Sequence, residues 1–131
     1  MSIQVVNTRN VLKTSFAAGL RISSDMDLLF LSGVTARPLE LAPEDSFEFP
    51  EDPDQQARLA LDNIQGVLDE AGITWREVIK IVRFYTETPS NSVRAEYLGD
   101  WNPCSTTLGV DELPEAGAKI MFDVTAAVPQ S

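Results

Sequence analysis

Apolar and polar positions alternate along this chain with periods that change from segment to segment, and each change marks an element. "IQVV" at residues 3–6 has the length and composition of a short strand. "FAAGLRI" leads through the turn-like "SSDMD" into "LLFLSG". This predicts a strand hairpin whose second arm, nearly continuously apolar over residues 27–33, is buried on both faces. The pattern then changes to helical. In "DPDQQARLALDNIQGVLDEAG", Ala57, Ala60, Leu61, Ile64, Val67, Leu68 and Ala71 recur at the 3,4 spacing of one buried face. Asp52 is the predicted N-cap, Pro53 the first helical residue, Gln55 the partner in a capping box, and Gly72 the stop. Leu59 falls off the stripe and reads as a surface residue. "EVIKIVRFYTE" then has strand length and strand composition, with Lys80 and Arg83 on opposite faces. A short helix follows in "SNSVRAEYLGD", anchored by Val93 and Tyr97 and capped by Gly99. The last strand runs from Lys119 to about Val128. Its parity is clean: Ile120, Phe122, Val124, Ala126 and Val128 share one face.

Two stretches interrupt this regularity. Residues 35–54 hold four prolines and seven acidic side chains, and read as an irregular, solvated excursion, with a ligand lid as the alternative. Residues 102–114, "NPCSTTLGVDELP", enclose the only cysteine within a run of small hydroxylated residues. Taken as a strand, Cys104, Thr106, Leu108 and Val110 point one way, and Ser105, Thr107, Gly109 and Asp111 the other. On that parity Cys104 travels with core residues. A nucleophilic thiolate needs a histidine, a helix N-terminus or an adjacent cation to lower its pKa, and no such residue adjoins it in the sequence. Cys104 therefore reads as a small buried residue. Trp75 and Trp101 read as packing residues.

Composition narrows the chemistry further. A chain of 131 residues is read as one domain able to bury a core without disulfides or metal. No histidine is present, which removes Ser-His and Cys-His pairs, imidazole bases and histidine-ligated metals. A single cysteine permits neither a disulfide within the chain nor a thiolate zinc site, so neither metal nor cofactor is expected. The net charge of −10 opposes nucleic-acid binding. No run is apolar for long enough to span a bilayer and the N-terminus does not read as a signal peptide, so the expected location is the cytoplasm, with no membrane partner.

Five segments taken in order, "LLFLSG", "DQQARLALDNIQGVLDEAG", "EVIKIVRFY", "AEYLGDWNPCST" and "LPEAGAKIMFDVTAAV", resemble the YjgF/RidA family, also called L-PSP endoribonuclease-like. The resemblance covers most of residues 12–128. It implies an α+β fold, RidA-like (chorismate-mutase-like), with a mixed sheet of about six strands and two helices on one face, as a single domain over residues 1–131. It also implies a homotrimer whose ligand clefts lie between subunits and bind a small molecule.

Family members that hydrolyse enamines and imines use an arginine after the proline of the "GD..P" segment to hold the substrate carboxylate. A glutamate on the last strand positions water. Matching from Pro103 and from Leu113-Pro114 puts Ser105 in the arginine's place, and matching from Lys119-Ile120 puts Met121 in the glutamate's place. Phe16 matches the customary tyrosine without its hydroxyl, and Gly33 the glycine whose backbone lines the cleft. Asp123 matches a second acidic residue. A serine cannot imitate a bidentate guanidinium, and a methionine cannot orient water or move a proton.

The resemblance therefore implies a ligand cleft lined by Phe16, Gly33, Ser105, Thr107 and Met121. Ser105, Thr107 and Met121 are expected on one cleft wall. Ser105 and Asp123 are the candidates for catalysis, although a buried inter-strand hydrogen bond is the expected role of Asp123. Three functions stay open: binding with possible hydrolysis of an activated C=N or C=C bond, a non-catalytic ligand sensor or protein-interaction module, and a deaminase in which Arg83 or Arg94 substitutes from a neighbouring subunit. A ribonuclease function is opposed by the charge and by the missing histidines.

Overall fold

The computed structural model describes residues 2–8 and 16–130. Six strands and two helices follow one another as β1 (Ile3–Val6), β2 (Gly19–Ile22), β3 (Met26–Phe30), α1 (Pro53–Ala71), β4 (Val78–Tyr85), α2 (Asn91–Leu98), β5 (Cys104–Gly109) and β6 (Ile120–Pro129). The expected α+β architecture, a mixed set of about six strands with two helices, is what is found. Four strands form one sheet in the order β3-β6-β4-β5, with β4 and β5 parallel and the other pairs antiparallel. β1 and β2 form a separate antiparallel pair.

The predicted hairpin between the second and third strands does not form. β2 pairs with β1, while β3 pairs with the distant β6. β3 is also not buried on both faces: at the sheet edge, Leu29 packs on the core while Leu28 is 55% and Phe30 72% exposed.

Helix α1 begins and ends as its sequence requires. Asp52 accepts a bond from the Asp54 N–H at 3.0 Å, Pro53 opens the helix, and Gly72 takes the left-handed conformation at φ 73°. Asp52 caps alone, and the Gln55 half of the box is not made. A full capping box occurs instead at Thr74 and Glu77, over a 3₁₀ turn. Ala57, Ala60, Leu61, Ile64 and Leu68 are buried, Val67 is half-buried and Ala71 exposed. Leu59 is half-buried rather than exposed. This face packs with Val93 and Leu98 of α2 against Val78, Ile81, Ile120, Phe122, Val124 and Ala126 of the sheet.

One wholly buried amide fixes the entry to α1. Gln56 donates to the carbonyls of Pro50 (2.7 Å) and Gly117 (3.0 Å) and accepts from the Lys119 N–H (2.8 Å). The acidic excursion is irregular, as expected, but it is firmly tied. Arg37 donates to Glu115 and to the carbonyls of Ala42 and Asp45, and Asn63 donates to the carbonyls of Thr35 and Arg37. Among the described residues no helix is long and apolar enough to cross a membrane.

A bulge in β4 decides what faces the helices. Val78 lies opposite Ala126 and Lys80 opposite Thr125, so two β4 residues span a single step of β6. Beyond that point Ile81, Arg83 and Tyr85 align with Val124, Phe122 and Ile120 on the helix side. Lys80, Val82 and Phe84 turn to the open side.

Candidate functional site

Pairing registers locate every candidate residue. Ser105 lies opposite Ile81 and Thr107 opposite Arg83, so both point to the helix side. Cys104, Thr106 and Leu108 lie opposite Lys80, Val82 and Phe84 on the open side, where Lys80 Nζ donates to Thr106 Oγ1 at 2.8 Å. The parity read from the sequence holds, but its faces are exchanged. Cys104 is half-buried on the side away from the core. The cause is topological: β5 is an edge strand beyond α2, and its apolar residues face the uncovered side.

Met121 lies opposite Phe84 and therefore also faces the open side. Ser105, Thr107 and Met121 thus do not share a wall within one protomer. Met121 instead meets Gly33: a Cβ added at Gly33 would stand 3.1 Å from the Met121 sulfur. Together they line a depression of about 350 Å³ with Arg37, Leu39, Pro114 and Glu115. Phe16, 44% exposed, lines a separate hollow with Val5, Trp101 and Asn102, and the neighbouring Ala17 N–H donates to the Pro103 carbonyl at 3.2 Å. Asp123 lies beside Val82 on the open face, exposed and without a hydrogen-bond partner among the described residues. The expected buried inter-strand bond is not found among the described residues, because Asp123 is exposed to solvent on this face.

Sequence reading missed a constellation inside the protomer. Between α2, the start of α1 and the helix side of β4 and β5 lies a cavity of about 160 Å³, lined by Ala57, Leu61, Ile81, Val93, Leu98 and Phe122. Arg83, Arg94, Tyr85 and Thr107 contribute its polar groups. Arg94 Nη2 is fixed by the Trp101 carbonyl (3.1 Å) and Asn102 Oδ1 (2.8 Å), while its Nε is buried without a partner. Arg83 Nη2 is buried and likewise unpartnered. Burial lowers the pKa of both guanidinium groups, and the charge of Arg83 lowers that of Arg94 further. Burial pushes the Tyr85 phenol up. The one available signal was the spacing Ile81, Arg83, Tyr85, an arginine on an otherwise apolar alternation. Among the described residues no group of three or more Cys, Asp or Glu side chains is placed to hold a metal ion.

Comparison with known proteins bears on most of the chain. The family model described as Endoribonuclease L-PSP matches residues 9–128. The RutC family protein YjgH of Escherichia coli (strain K12) is 33% identical over 111 residues, which span 79% of this chain and 78% of that protein. A solved structure of YjgH superposes with a TM-score of 0.63, covering 88% of this chain and 85% of that one. The fold is also that of YyfB, a Rid-family protein of unknown function from Yersinia pestis, with a TM-score of 0.78 at 19% identity over 98% of this chain and 100% of that one.

Proposed function

Because the chain belongs to the endoribonuclease L-PSP family, which includes the YjgF/Rid proteins, we propose that it acts as a RidA-like homotrimer holding a small metabolite in clefts between subunits. The observation that carries this reading is the open face of the four-stranded sheet. Leu28 and Phe30 at one edge and Leu108 at the other stand exposed, with Val82, Phe84 and Met121 half-buried between them. An apolar strip of this extent favours a partner surface, and symmetric copies of the same chain are the economical partner. The placement of the matched residues supports it as well. Ser105 and Met121 lie on opposite faces of one sheet, so a shared cleft draws them from two protomers.

The chemistry of that cleft differs from the Arg/Glu type. Ser105 offers a hydroxyl where a guanidinium would clamp a carboxylate, and Met121 offers an apolar wall where a glutamate would position water. If the protein is an enzyme, its natural reaction is addition of water to an activated C=N or C=C bond. Ser105 and the Gly33 backbone would polarise the substrate, with Asp123, two residues beyond Met121 on the same face, as the candidate acidic group.

The test has two parts. Light scattering should give three times 14.4 kDa, about 43 kDa, and a monomer would remove the cleft. Purified protein added to a dehydratase reaction should leave the decay of amino-acid-derived imines near the buffer rate, while Ser105→Arg with Met121→Glu should accelerate it. A small metabolite that raises the melting temperature without being turned over identifies a ligand sensor.

A further inference from the structure

We propose a second ligand site, within each protomer: the cavity beneath α2 binds a small monocarboxylate with an apolar body, gripped by Arg83 with help from Arg94. Four observations converge on this.

The first is that Arg83 is directed inward. The β4 bulge turns it toward the helices, beside Ile81, Thr107 and Phe122, where simple alternation from Val78 would have sent it to the open face. A fold that needed only packing at this position would place an apolar side chain here, since a buried cation without a partner is costly.

The second is that the charge goes uncompensated. The chain carries 20 acidic residues against 10 basic ones, yet Arg83 makes no ion pair or hydrogen bond among the described residues. Arg37, Arg58 and Arg76 each pair with a carboxylate, at Glu115, Glu96 and Asp100. Arg83 and Arg94 stand apart from this pattern, and the positive charge of one disfavours that of the other.

The third is the cavity itself. Its volume of about 160 Å³ far exceeds the ~10–15 Å³ that one water needs, and its walls are aliphatic and aromatic. Arg94 is held in place by Trp101 and Asn102, leaving its buried Nε as a donor already oriented. Apolar walls with a few convergent donors are the composition of a ligand site. The two free donors are guanidinium N–H groups, whose geometry matches a carboxylate.

The fourth is access. Helix α2 has only eight residues, and the segment before it, Thr88–Ser90, together with Asn91 and the exposed Thr107, forms the mouth. The site needs no second subunit, so it stands whether or not the protein is a trimer.

The test uses the full chain. Acetate, butyrate and benzoate, each at matched ionic strength and paired with its neutral amide, are screened by thermal shift and then by calorimetry. At least one carboxylate should raise the melting temperature with one site per chain, butyrate or benzoate more than acetate, and its amide should bind about tenfold or more weakly. Arg83→Met should abolish that difference, while Lys80→Met, on the other face of the same strand, should preserve it. Three results would overturn the proposal: no carboxylate exceeding chloride, amides equal to acids, or inorganic phosphate displacing the carboxylates. The discrimination between acid and amide is measured on the unaltered protein, so it decides the matter even if Arg83→Met fails to fold.

Discussion

The two faces of the four-stranded sheet are built from the same strands by alternation, yet they have opposite fates. The helix side is closed by α1 and α2 over a core in which Ile64, Ala60, Leu68, Val78, Ile120 and Ala126 retain no exposure. The other side leaves large apolar residues in the open, with Leu28 55%, Phe30 72% and Leu108 41% exposed. The difference is in what each face tolerates. On the covered face the wholly buried Gln56 makes every bond its amide offers, whereas Arg83 borders a cavity with a buried donor unpartnered. The open face mixes Lys80, Thr106 and Asp123 with Phe30, Phe84 and Leu108, the composition of a surface that meets a partner while keeping a polar fringe.

The contrast is tested most severely at Ile64. Ile64→Ala leaves a cavity beneath both helices and should cost about 2–5 kcal/mol in urea unfolding. Leu108→Ala on the open side should change the unfolding free energy of the protomer by no more than about 0.5 kcal/mol. Equal losses at the two positions would show that the open face is packed within the protomer after all.

Gln56→Leu is next in size. The side chain is similar in volume, but the carbonyls of Pro50 and Gly117 and the N–H of Lys119 lose their partner. A loss of about 1–3 kcal/mol is expected, detectable as a lower urea midpoint at unchanged slope. Nothing in the sequence singled out Gln56 from Gln55. Both are helix-compatible amides in the first turn, and only the distant carbonyl of Gly117 distinguishes them.

The same reasoning explains which parts were legible in the chain. Helix α1 was readable because its cap, its stripe and its stop are local, each set by residues within a turn of one another. The final strand was readable because its alternation is unbroken. The bulge in β4 was not: one extra residue reverses the face of everything after it, and no residue type there announces it. The orientation of β5 depends on a parallel partner reached through α2, so its parity was clear and its faces were exchanged. At the candidate site, matching identified the replacements at Ser105 and Met121 residue by residue. Whether those residues meet depends on the assembly, which is why their separation within one protomer came only with the structure.

Tyr97 measures how firmly the covering layer is held. Its hydroxyl lies 2.8 Å from Asp62 Oδ1 and 3.1 Å from the Arg58 carbonyl, tying α2 to α1. Burial, reinforced by the hydrogen bond to Asp62, pushes its pKa up to about 12. The folded protein therefore holds this proton more tightly than the unfolded chain, whose tyrosine titrates near ~10. Its contribution to stability is complete below about pH 10 and is lost as pH rises toward about 12. Tyr97→Phe should cost about 0.5–1.5 kcal/mol at neutral pH and should flatten the alkaline fall in stability. Tyr85, also raised, will keep that fall from vanishing. An unchanged alkaline slope would mean that the α1–α2 tie is absent in solution.

The smallest expected effect on folding comes with the largest on assembly. Phe30 is 72% exposed at the edge of the open face and touches little within its own protomer. Phe30→Asp should leave the far-ultraviolet circular dichroism unchanged and alter protomer stability by no more than about 0.5 kcal/mol. In a trimer held through this face, however, three carboxylates would be forced into an apolar interface, where an unpaired charge is poorly tolerated. The light-scattering mass should then fall from about three times 14.4 kDa to 14.4 kDa. A variant that keeps the trimer mass would locate the interface elsewhere, and the open sheet face would need another occupant. Carboxylate binding beneath α2 should survive this dissociation, because that cavity is lined by a single chain. Loss of subunit contacts with retention of the inner site would confirm that the two faces do separate work.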